Sequence, residues 1–136
     1  MKQLSTASYF LNLTPFVEIV IRNPIMDKTF PVGGRVAAVV DTGFEGFLLL
    51  PGDVFEKLSL NQLAVDGRVL ILPDGRRAYS TGTYCEVVIP DLSVKLNGFV
   101  ETLKGVQEVV IGADLLQNLK LTLNYCLRMV EVEACR

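Results

Sequence analysis

Asp41, Thr42 and Gly43 close the apolar, β-branched run Val36-Ala37-Ala38-Val39-Val40, with Phe44 next and Phe47-Leu48-Leu49-Leu50 soon after. An uninterrupted run of that kind reads as a buried strand. A carboxylate at its mouth is held where desolvation disfavours the charged form, which suits acid–base chemistry. Read alone, Asp-Thr-Gly is more readily a turn than a site, because all three residues favour turns. A second apolar run, Val109-Val110-Ile111, also ends at a glycine and continues as Gly112-Ala113-Asp114-Leu115-Leu116. Asp114 can be read as a second acid or as a structural residue. Its place in the first turn of a short helix, where the dipole favours negative charge, supports the structural role.

The remaining composition narrows the chemistry. Among the 136 residues there is no histidine, which removes Ser-His-Asp and Cys-His nucleophilic sites and imidazole acid–base catalysis. Three cysteines, Cys85, Cys126 and Cys135, have no CxxC spacing, so neither a zinc site nor a disulfide framework is indicated. Reduced thiols in a cytoplasmic protein are the expectation, with Cys85 and Cys126 in apolar strands and Cys135 at a loose end. No metal and no cofactor is called for. A net charge of −2 and a pI near 5.1 argue against nucleic acid as a partner, since phosphate binding needs a clustered positive field. No apolar run approaches the roughly 18 residues of a membrane span, so no membrane partner is expected either.

The elements that must position these residues read mainly as strands within one domain over 1–136. Residues 1–15 are an N-terminal arm or edge strand. Residues 16–22 alternate, with Val17, Ile19 and Ile21 on one face, and pair with 30–40 as a hairpin. Pro51 and Asp53 start a short helix through Leu60. Residues 65–72 and 78–89 flank Pro73-Asp74-Gly75-Arg76, the strongest hairpin signal in the chain. The tip of that hairpin is polar and small, with Gly75 and Gly82 in reach, so it is expected to project and move. Residues 92–103 are one bent strand or a pair. A second short helix begins near Ala113, and 121–124 and 127–133 close the chain as strands. Strands throughout, broken by one or two short helices, point to an all-β fold, a small closed β-barrel.

Asp41-Thr42-Gly43 behind an apolar strand, a glycine-bearing hairpin, and Ile111-Gly112-Ala113-Asp114-Leu115-Leu116 occur in that order, the two motifs about seventy residues apart. Together they resemble the retroviral-type (retropepsin-like) single-domain aspartic proteases, as a cellular or prokaryotic-type member, over residues 16 to 132. The resemblance implies an acid-protease-like barrel with a flap hairpin, active as a homodimer, because one chain supplies one Asp-Thr-Gly. It implies Asp41 as the catalytic residue, with Thr42 and Gly43 supporting the active site. Asp74, Gly75 and Gly82 fall on the flap that covers substrate, and Ile111, Gly112 and Asp114 form the structural second motif.

The activity so implied is an aspartic endopeptidase acting on extended peptides or unfolded proteins, with a water activated between two copies of Asp41. Two departures from the family pattern stand out. Phe44 follows Gly43 where a small residue is usual, and Ala113 stands where viral members often carry arginine. They motivate an alternative expectation, a catalytically weak or inactive module that binds peptide or dimerises. The tail from Leu127, with Met129, Val130 and Val132, is available for pairing between copies.

Overall fold

In the computed structural model, which describes residues 7–135, the alternation of Val17, Ile19 and Ile21 builds the longest strand of the first half, β2 (Thr14–Asn23), and all three side chains are buried. Of the expected N-terminal arm or edge strand, residues 1–6 lie outside the described residues, as does Arg136 of the tail. Within it, β1 (Ser8–Leu11) pairs antiparallel along β2. Along other stretches β2 meets β3 (Lys28–Phe30) and β4 (Val36–Val40), both antiparallel, as the hairpin reading anticipates.

The turn after β2 is secured from inside. Asn23 is buried; its Nδ2 donates to Leu58 O at 2.8 Å, and its Oδ1 accepts from the N–H groups of Ile25 and Met26. Leu58 closes α1 (Gly52–Lys57), which is shorter than the predicted helix and is followed by a 3₁₀ turn over Leu60–Gln62. Val54, Phe55, Leu58 and Leu60 point into the core together with β2, β4 and β5 (Leu48–Leu50).

β6 (Asp66–Ile71) and β7 (Arg77–Ile89) form the expected hairpin, and β7 continues against β8 (Val94–Thr102) from Thr81↔Thr102 to Ile89↔Val94. β8 is one unbroken strand, preceded by a 3₁₀ turn over Pro90–Leu92. Gly98 lies under the Phe47 ring, where a side chain would collide with it. The expected apolar run near 107–111 contributes only β9 (Val110–Ile111), followed by α2 (Ala113–Leu116). β10 (Leu119–Asn124) and β11 (Met129–Ala134) pair with each other in a separate two-stranded sheet.

The all-β, closed acid-protease-like barrel is corrected by this topology, and with it the retropepsin-like fold that the resemblance implied. The nine-stranded sheet runs β1-β2-β4-β9-β5-β8-β7-β6, with β1 and β6 as its end strands, while β3 is attached to β2 and β2 also meets β7. Strand directions are mixed, since β4–β9 and β5–β8 are parallel and the other pairings in the sheet are antiparallel. Three residue pairs between β2 and β7, Val20↔Val88 to Arg22↔Glu86, curl the sheet around the core. With α1 and α2 the result is a mixed α/β domain rather than a barrel of strands alone. Period-two alternation reports that one face of a strand is buried, not which strand lies beside it or in which direction.

The tail forms the expected closing strand and packs on its own chain. Val130 and Val132 are buried within the chain by β10, and Ser8 Oγ donates to Val130 O at 3.0 Å, so this segment is already paired. No helix among the described residues is long and apolar enough to cross a membrane.

Candidate functional site

Asp41 leaves β4 beside β9, with which it shares a ladder: Val39 N–H donates to Val109 O at 2.8 Å and Asp41 N–H to Ile111 O at 3.0 Å. The parallel β4–β9 pair therefore brings the two sequence motifs side by side. After Asp41 the chain turns, with Phe44 N–H donating to Asp41 O and Gly43 N–H to Asp41 Oδ1 at 2.9 Å. One carboxylate oxygen is thus held by the backbone, and among the described residues Oδ2 accepts no hydrogen bond. Asp41, Thr42 and Gly43 are all exposed. Desolvation of Asp41, on which the sequence reading rests, is not supplied by its own chain.

The Asp41 turn is interlocked with the second motif. Gly112 N–H donates to Phe47 O, Ala113 N–H to Phe44 O at 2.7 Å, and Asp114 N–H to Gly46 O. Backbone packing here is close enough to exclude any side chain at Gly112, whose Cβ would overlap Gly46 O and lie 2.6 Å from Phe44 O and Phe44 Cδ2. Gly46 is constrained in the same way by the Phe44 ring. Phe44, the unexpected large residue, therefore packs across two glycines and forms part of the cleft wall. Ile111 is fully buried beneath the turn. Asp114 lies in the first turn of α2, is exposed, and accepts from Gln117 Nε2 at 2.7 Å; it makes no side-chain cap at the helix start.

The carboxylate opens into a cleft of about 670 Å³ lined by Asp41, Gly43, Phe44 and Glu45 on one side and by Val69 to Pro73 of the hairpin on the other, with Leu49, Leu103, Val106 and Val110 between. Val69 and Ile71, alternate residues on one face of β6, are exposed and line this cleft. At the hairpin tip Gly75 adopts φ +84°, a left-handed conformation that a side chain disfavours. Asp74 Oδ1 accepts from Arg76 N–H, and Gly75 N–H donates to Leu72 O, so the turn is self-bonded. Gly82 is placed differently from Asp74 and Gly75. It is buried in β7 against the Phe99 ring and Val100 O, away from the tip.

Sequence reasoning missed two residues here. Glu101 on β8 is fully buried, and Arg68 on β6 donates to it twice, Nε to Oε1 at 2.7 Å and Nη2 to Oε2 at 2.5 Å. The Arg68 guanidinium also lies 6.0 Å from the Phe99 ring centroid and lines the Asp41 cleft. The paired carboxylate raises the Arg68 pKa, with burial opposing it and Asp114 and Glu45 adding to it. A lone acid in an otherwise alternating strand was the available signal for Glu101.

Cys85 is buried and donates to Arg22 O at 2.8 Å, and burial pushes its thiol up to about 11. Cys126, expected in a strand, lies instead in the exposed turn between β10 and β11, and Cys135 is exposed as well. Among the described residues no group of three or more His, Cys, Asp or Glu side chains is arranged to hold a metal ion.

No family model matches the chain. Over 126 residues it is 47% identical to a protein of Archaeoglobus fulgidus described as "Uncharacterized protein", covering 93% of this chain and 98% of that one. The chain belongs to the same family as this archaeal protein.

Proposed function

We propose that the protein is an endopeptidase in which Asp41 carboxylates from two copies activate water against an extended peptide. The observation that carries this reading is the Asp41 carboxylate, held through Oδ1 by the Gly43 N–H at 2.9 Å and opening into a largely apolar cleft walled by residues of the β6–β7 hairpin. A single exposed carboxylate has no partner with which to divide the roles of acid and base. A second copy across a two-fold axis would supply it and would remove both from solvent. Two carboxylates at close range share one proton, so one takes a proton from water while the other donates to the scissile carbonyl. Peptide would lie as a strand between the Asp41 turn and the hairpin, with its side chains against Phe44, Val69 and Ile71.

Asp41→Asn removes the base with little change of shape. Cleavage of an unfolded protein at mildly acidic pH is expected to be abolished while the circular dichroism spectrum and sedimentation are unchanged. Cleavage at the wild-type rate by that variant would overturn the assignment. A second reading, a module that binds extended peptide without cutting it, is favoured by Phe44, whose ring narrows the cleft beside Asp41. Under that reading wild-type protein and Asp41→Asn bind a peptide equally and neither cleaves it. Thiols left free support work in a reducing compartment such as the cytoplasm.

A further inference from the structure

The hairpin that walls the cleft leaves the sheet at a definable point. Among the described residues β7 pairs with β8 only from Thr81↔Thr102 onward and β6 pairs with β7 alone, so beyond Thr81 none of them adds a third strand to the β6–β7 ribbon. Arg68 and Ser80 are the cross-strand pair immediately past that point. Both reach back to the same acid: Arg68 donates twice to Glu101, and Ser80 Oγ donates to Glu101 Oε1 at 2.6 Å. Glu101 sits opposite Gly82 on β8, where the missing side chain of Gly82 admits the Phe99 ring beneath the guanidinium. One fully buried carboxylate therefore grips both strands of the ribbon at its root. A planar guanidinium with two parallel donors fixes angle as well as distance, which a single ammonium does not.

We propose that Arg68 is a positioning residue which, through Glu101, sets the angle at which the β6–β7 hairpin lies over the Asp41 cleft. The proposal rests on the reading of that cleft as a peptide site, but the geometry of the clamp does not depend on Asp41. Val69 to Pro73 wall the cleft directly beyond the clamp, so a small rotation at Arg68 opens or closes it. An ion pair that merely stabilised the fold would weaken all elements together. A positioning clamp changes the hairpin while leaving β2 and β4 as they were.

Hydrogen–deuterium exchange of the full chain separates the two. In Arg68→Met, backbone amides of 69–79 are expected to exchange roughly tenfold faster while those of β2 and β4 keep their wild-type rates. Arg68→Lys, which keeps the charge without the fork, should fall between. Ser80→Ala, a mild loss at the same root, should show a smaller rise in the same segment and keeps the test open if Arg68→Met does not fold. Unchanged exchange over 69–79, or a rise shared equally with β2 and β4, would overturn the proposal. If the protein cleaves peptides, KM of Arg68→Lys should rise roughly tenfold with kcat nearly constant, whereas a fall in kcat alone would count against it. Failure of Asp41→Asn to lose cleavage would sink the peptidase reading yet leave the exchange result intact.

Discussion

Gly112 shows how little tolerance the site has at the level of one atom. A methyl group there would enter the space of two backbone carbonyl oxygens, Gly46 O and Phe44 O, and no side-chain rotation can relieve a backbone clash. Gly112→Ala should therefore destabilise the fold by about 3 kcal/mol, read as a lowered urea midpoint, and should disorder the Asp41 turn first. Cys85 offers a second check. Because burial raises its pKa to about 11, the thiol stays protonated in the folded chain where an unfolded one ionises. Its contribution to stability is complete below about pH 9 and is lost as pH rises towards 11, since the unfolded state releases its proton first. At pH 8 a thiol-alkylating reagent should modify Cys126 and Cys135 in native protein and reach Cys85 only with denaturant, as counted by mass spectrometry. Reading Asp41, Gly112 and the turn residues from sequence was straightforward because each carries a local backbone signature. Glu101 and Arg68 carried none, for their pairing spans 33 residues and depends on which strands become neighbours.

At the scale of elements, the strands, their faces and their hairpin partners were legible, and the partners distant in sequence were not. Val17, Ile19 and Ile21 announce a half-buried strand by alternation alone, and Pro73-Asp74-Gly75 announces its hairpin by turn chemistry. Neither pattern states that β4 runs parallel to β9, the pairing that brings Asp41 to Ile111 and gives the sheet its mixed strand directions. The junction of β2 with α1 was equally invisible, because it hangs on one amide. Asn23 ties the turn at Ile25 and Met26 to the carbonyl of Leu58, the residue that closes α1. Asn23→Ala leaves that buried carbonyl unpaired and should cost about 2 kcal/mol in equilibrium denaturation. Asn23→Asp keeps the acceptor but not the donor, so it should restore the turn without restoring the tie to α1.

For the whole molecule, the proposed site, with one Asp41 per chain, would make proteolysis a property of pairs. Below the dissociation constant of the pair, cleavage per chain should fall in proportion to protein concentration, and mixing in Asp41→Asn chains should inhibit wild type beyond simple dilution. A rate per chain independent of concentration down to the monomeric range by sedimentation would contradict the two-copy site. The place of β6 at the end of the sheet has a further consequence, one of colloidal behaviour. Among the described residues β6 is paired on one side only, so from Asp66 to Ile71 its outer backbone offers donors and acceptors to any extended chain that approaches, copies of itself included. Val69 and Ile71 are exposed on the same strand and would favour such stacking. Asp66, exposed at the start of β6, carries its charge along that edge, whereas the Arg68 charge is already taken up by Glu101. The strand whose residues wall the cleft is thus also the strand along which copies would add, and the exposed Asp66 carboxylate opposes that outcome.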